Sequence, residues 1–302
     1  YDMRIMLNAH LTQGGTHYTA ESQAFWENPE NQEYWIALWK EIARRYANEP
    51  TIFGYGILNE PHIKEFDSIA LIHWANSDVE QRCIDAIREV DKNHVISIDR
   101  ALGVLTDNWQ LYNCDYYGNN WQFALVNDYN MILEWHDYKP GEFVTQKGST
   151  EILNRYPGQT YTYGIHDKNY VDTNREFQLR AQQITTQHYF DQYNKKLPIF
   201  IGEFGGTGIA AFDDDKTGGE FADFIEDKLS VMNENSYNYS FFEWMGKSNG
   251  YIYQTPPSSY HKAEYRRTFL EDLLKKANEE AKKDLNVKND ITKISVKKAP
   301  DK

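Results

Sequence analysis

Cysteine is nearly absent: among 302 residues only Cys83 and Cys114 occur. Two thiols so placed make neither a disulfide framework nor a metal-binding spacing, and they leave the redox compartment open. Long apolar runs are missing as well. No stretch approaches the roughly 18 consecutive apolar residues of a membrane-spanning helix, so no membrane partner is expected. Positive charge is scarce, with 32 Lys and Arg against 45 Asp and Glu. The net charge of −13 and the pI near 5.2 would repel a phosphate backbone, which excludes nucleic acid. No stretch in the middle of the chain reads as a linker, so one domain over 1–285 is expected, followed by a loosely ordered, Lys-rich tail over 286–302. The chain opens on Tyr1 rather than methionine, and a removed leader is expected.

What is present is enough for a sizeable core: 40% of residues are hydrophobic and 25% charged. Aromatic residues make up 15%, with 22 Tyr and 8 Trp, and many fall in segments that read as loops. There they suit a sugar-binding cleft, although packing and surface positions account for the larger share. Strands are predicted over 3–10, 51–58, 95–101, 130–138, 197–205 and 237–246. Helices are predicted near 31–47, 68–91, 173–194 and 219–234, with a last one from about 262. In the first of these, Trp35, Leu38, Trp39, Ile42 and Tyr46 recur at helical spacing. Near-continuous apolar strands alternating with helices imply a parallel sheet covered by helices. The acidic "DDDK" at 213–216 reads as a solvated loop tip, because the regular spacing of a calcium-binding loop is absent.

The strands share a habit of ending in polar groups. The first ends in Asn8 and His10, and the second in Asn59 and Glu60 of "ILNEPH". His136 and Tyr138 close the fourth, Glu203 the fifth, and Glu243 and Trp244 the last. In a parallel barrel all such ends lie on one face, where the βα loops build the active site. Two carboxylates brought together there are the apparatus of glycoside hydrolysis. One must be protonated to serve the leaving oxygen, and the other ionised to attack the anomeric carbon or activate water. Their surroundings must push the two pKa values apart.

The motifs carry a resemblance. "ILNEPH" (57–62) and "IFIGEFGG" (199–206) resemble the acid/base and nucleophile motifs of the glycoside hydrolase clan built on the (β/α)8 barrel, most closely family 5, the cellulase family. The resemblance implies Glu60 as acid/base, Glu203 as nucleophile, and Asn59 as the partner of the sugar 2-hydroxyl. "EWHDY" resembles the family's His-x-Tyr, which implies that Tyr138 bonds the nucleophile and His136 lines the cleavage subsite. "MLNAH" resembles a strand that places His10 beside the substrate. "FFEWMG" resembles the strand whose aromatic residue, Trp244 or alternatively Phe242, lies under the sugar ring. The implied protein is a secreted, retaining hydrolase of β-linked glucan, of the endo-β-1,4-glucanase type, with no cofactor and no metal.

The chain departs from the family pattern at its start. Two strands that precede the one ending in His10 are absent from this sequence, and with them the arginine that holds the nucleophile. Arg4 lies too early on its strand to take that place. The fold is therefore expected to be an incomplete (β/α)8 barrel of about six βα units, α/β in class. Three explanations are open: loss of the missing part by processing or fragmentation, cover by a second chain or self-association, or pairing of the tail segment "DITKISV" (290–296) as a substitute strand. Open apolar edges at 3–10 and 237–246 predict a homo-oligomer, most simply a dimer. Other functions stay open: a β-mannanase or exo-β-glucanase of the same family, a sugar-binding partial barrel without turnover, or a serine esterase. The last would use Ser248 in "GKSNG", but "YIYQTPPSSY" follows it where a nucleophile elbow needs a helix.

Overall fold

The computed structural model describes residues 4–12, 24–63, 69–103, 121–144, 156–157, 174–205 and 219–242, with helical positions at 272, 275, 276, 279 and 283. In chain order the elements are β1 (Ile5–Asn8), α1 (Ala24–Glu27), α2 (Pro29–Tyr46), β2 (Ile52–Gly56), β3 (His62–Ile63), α3 (Ile69–Val90) and β4 (Val95–Gly103). They continue with β5 (Trp121–Phe123), β6 (Met131–Asp137), α4 (Gly141–Val144), α5 (Arg175–Tyr193), β7 (Ile199–Phe204), α6 (Gly219–Glu234) and β8 (Asn238–Phe241). The chain divides into two compact units. One comprises 1–136, 162–170 and 180–202, the other 137–161, 171–179 and 203–302.

In the first unit β1, β2, β4 and β6 pair successively in parallel. The Leu133 amide of β6 donates to the Pro198 carbonyl just before β7, at 3.0 Å. The register aligns Leu7, Tyr55, Ile96 and Met131 in one row across four strands. All seven residues of β6 are buried, as a strand covered on both faces requires. Two short strands were not foreseen. β3 pairs in parallel with the end of β4, and β5 pairs antiparallel to Arg100–Leu102. β3 finds its partners, Leu102 and Gly103, because β4 runs two residues beyond its predicted end at 101.

Helix α2 shows why the sequence folds as it does locally. Asn28 caps it by accepting from the Glu30 amide at 3.0 Å, Pro29 opens it, and Arg44 and Arg45 sit in its last turn. Trp35, Ile36, Trp39 and Ala43 form its buried stripe. Trp39 donates its indole N–H to the Ile57 carbonyl at 3.0 Å, fastening the helix to the chain just after β2. The predicted apolar face also held Leu38 and Tyr46, but these are 57% and 40% exposed. With Leu7, Leu11, Tyr34 and Ile42 they line an apolar groove of about 460 Å³ beside β1. The helix is apolar over a wider arc than its described neighbours cover.

The second unit packs Phe143, Tyr156 and Phe224 into an aromatic cluster with ring centroids 5.4–5.6 Å apart. Beneath it the fully buried Lys228 pairs with Asp137 at 2.6 Å and donates to Gln178 at 3.0 Å. That pair is what makes a buried charge tolerable on an apolar helix face. After β8, the Phe242 amide donates to Phe204 of β7 at 3.0 Å. A side chain at Gly205 would place its Cβ 2.4 Å from the Phe242 carbonyl oxygen, so only glycine permits this approach. The last strand spans 238–241 among the described residues, and the tail segment 290–296 lies outside them.

Candidate active site

Within the first unit, β2 delivers a buried run, Ile57, Leu58 and Asn59, that ends at the half-buried Glu60. Glu60 turns into the left-handed region, with φ +41°. That conformation is costly for a residue with a side chain and persists only where neighbours enforce it. Here the Glu60 amide donates to Asp99 Oδ2 at 2.7 Å. The turn carries Glu60 Oε1 to 2.6 Å from Nδ1 of His136, whose side chain is wholly buried. Asn59 is likewise held, accepting at Oδ1 from the Asn8 amide group at 2.9 Å.

The far side of the His136 ring is acidic. Its Nε2 lies 3.6 Å from Asp99 Oδ2 and 3.8 Å from Glu134 Oε1. Asp99 and Glu134 are register partners on β4 and β6, and the Ser97 hydroxyl donates to Glu134 Oε2 at 2.5 Å. Burial, followed by the charges of Glu134 and Glu60, holds the Asp99 carboxyl well above the usual carboxylate range, against the opposing pull of His136. Chemically, this side of the site offers Glu60 an imidazole with which to exchange a proton.

In the second unit the Tyr138 hydroxyl donates to Glu203 Oε2 at 2.7 Å. Glu203 is 9% exposed at the end of β7. A phenol bonded to one carboxylate oxygen fixes the plane of the group, which is what an attacking carboxylate requires.

The structure thus joins Glu60 with His136, Asn59 with Asn8, and Tyr138 with Glu203. His10 lies two residues beyond β1 and is exposed. Arg4 bonds the Pro50 carbonyl through its guanidinium, at the start of β1 and away from the strand ends that carry the carboxylates. Trp244 and Ser248 lie outside the described residues, and so does the acidic segment 213–216. Asp99 and Glu134 were missed as site residues. Each is an acid inside an apolar strand, "VISIDRA" and "NMILEWHDY", and an acid there is costly unless a partner waits for it.

Comparison with known proteins decides the ancestry. The sequence profile of the cellulase family, glycosyl hydrolase family 5, matches residues 1–248. The chain belongs to that family. It is 25% identical over 236 residues to endoglucanase C of Acetivibrio thermocellus, an alignment covering 70% of this chain and 60% of that protein. Among solved structures, an endoglucanase of hyperthermophilic Thermotoga maritima superposes with a TM-score of 0.53 at 22% identity, over 87% of this chain and 71% of that one. A complex of the same Thermotoga enzyme with mannotriose gives a TM-score of 0.51 at 21% identity, over 87% and 71% of the two chains. These likenesses show the fold, a (β/α)8 barrel to which the described residues contribute the six-strand order β1-β2-β4-β6-β7-β8. The chain spans about 60% of the length of the first curated relatives it matches.

Proposed function

We propose that this family 5 chain is a retaining glycoside hydrolase of β-1,4-linked glucan, with Glu60 as acid/base and Glu203 as nucleophile. The observation that carries the reading is the different company of the two strand-end glutamates. Glu203 accepts a hydrogen bond from the Tyr138 phenol, whereas Glu60 faces an imidazole inside an acidic cluster. In the first step Glu203 attacks the anomeric carbon while Glu60 gives its proton to the departing glycosidic oxygen. In the second, water attacks the same carbon, Glu60 takes the water proton, and the bond to Glu203 breaks. Asn59, held by Asn8, is the proposed partner of the sugar 2-hydroxyl. His10 and His136 are proposed to line the cleavage subsite and Trp244 to underlie the ring.

A mannan is the second reading, favoured by the mannotriose bound to the Thermotoga relative. A reducing-sugar assay on β-glucans, mannan and xyloglucan separates the two. Extracellular action and self-association through the β1 edge belong to the same proposal. The first rests on the polymeric substrate, and the second on the open groove beside that strand. For the nucleophile, Glu203→Ala is expected to lose several orders of magnitude in turnover, on the order of 10⁴ or more. Added azide should restore part of it and yield a product of opposite anomeric configuration, because the small anion replaces the carboxylate. A variant retaining more than about a tenth of the activity would remove Glu203 from the role.

A further inference from the structure

Asp99 belongs to neither of the motifs that carry the two glutamates, yet its carboxyl reaches the backbone of Glu60. Two amides converge on it: Glu60 N–H on Oδ2 at 2.7 Å and Arg100 N–H on Oδ1 at 2.8 Å. An ionisable group at 2% exposure, directly after the fully buried Ile98, is the opposite of what packing alone selects. It also stands beside its register partner Glu134, the ring of His136 and the carboxyl of Glu60, so burial and two like charges act against it. The geometry that compensates is local. Glu60 holds a positive φ, and the hydrogen bond from its own amide to Asp99 helps hold its main chain there.

We propose that Asp99 is a positioning residue for Glu60: by accepting the Glu60 amide proton it holds the left-handed turn that carries the acid/base carboxyl to His136. This rests on the reading of Glu60 as acid/base. A carboxyl group suits the position because its two oxygens each meet one of the two amides, whereas asparagine offers a single oxygen and alanine none. Without the contact, Glu60 relaxes toward an ordinary backbone conformation and its carboxyl leaves the place from which it meets the glycosidic oxygen. Binding of the sugar and attack by Glu203 do not depend on that displacement.

The test compares kcat/KM, which reports the first chemical step, on dinitrophenyl and phenyl β-cellobioside. The dinitrophenolate departs with little proton donation, and phenolate needs it. Glu60→Gln sets the reference, with a loss on the phenyl substrate on the order of 100-fold and a far smaller one on the dinitrophenyl substrate. Asp99→Ala is expected to reproduce that selectivity in weaker form, and Asp99→Asn to recover part of the phenyl rate through its one remaining acceptor. Thermal melts followed by circular dichroism verify that each variant is folded, and Asp99→Asn carries the comparison should alanine fail to fold. Equal losses on both substrates in the Asp99 variants, with Glu60→Gln still selective, overturn the positioning role and leave the Glu60 assignment standing. Equal losses in Glu60→Gln overturn the assignment and, with it, this inference.

Discussion

Gly202, one residue before Glu203, has room for no side chain: a Cβ there would stand 1.8 Å from Glu134 Oε1. Glu134 cannot swing freely out of the way, since it is 2% exposed and holds the Ser97 hydroxyl at 2.5 Å. Gly202→Ala is therefore expected to lower stability by about 1–3 kcal/mol, read as a fall in denaturation midpoint. The variant would also push Glu134 from its place beside His136, so activity should fall further than the melt alone explains. Glu60 and Glu203 were legible in the sequence because their neighbours advertise them. An amide and a proline flank the one and glycines the other, at the ends of apolar strands. Asp99 and Glu134 carried no such mark. Their importance comes from lying side by side on β4 and β6, and strand register is a non-local fact that neither segment contains by itself.

The turn from α3 into β4 shows the same economy at the scale of an element. Arg88, near the end of α3, grips Asp128 with two bonds of 2.8 Å and donates to the His94 carbonyl at 2.9 Å. Asp91 accepts from the amides of Asn93 and His94 and from the Tyr55 hydroxyl. Burial works against both carboxylates, yet Arg88 outweighs it for Asp128, and the two amides with Tyr55 outweigh it for Asp91. Both are held below the usual carboxylate range. A depressed folded pKa gives stability that is fully present above the unfolded value, about 3.9, and is lost as pH falls through the folded one. Melting temperature is thus expected to drop steeply below about pH 4, and Asp128→Asn to be less stable at neutral pH with a shallower acid loss. The helices themselves were readable from their caps and apolar stripes, α2 above all. β3 and β5 were not, since two- and three-residue strands have too few positions to display a period.

For the whole molecule, the sheet order places β1 at one end, where among the described residues it pairs with β2 alone. β4, in contrast, is paired on both sides and carries β3 and β5 as well. Ile5 is 43% and Leu11 72% exposed along that edge, next to the groove that Leu38 and Tyr46 leave open. The parallel alternation of strand and helix was readable over most of the chain, but what lies against this edge was not, because an apolar stripe names no partner. Such an arrangement should make deuterium uptake uneven. Amides of β1 are expected to exchange within minutes, while those at the centre of β4 exchange only through opening of the entire sheet. If two copies meet at this edge, raising the protein concentration slows uptake at 5–8 and leaves β4 unchanged, and light scattering reports a doubled mass. Uptake at 5–8 that ignores concentration, with a monomeric mass, would remove self-association from the proposal. The opening of β1 would then behave as a zipper with one loose end, its protection rising strand by strand toward β4.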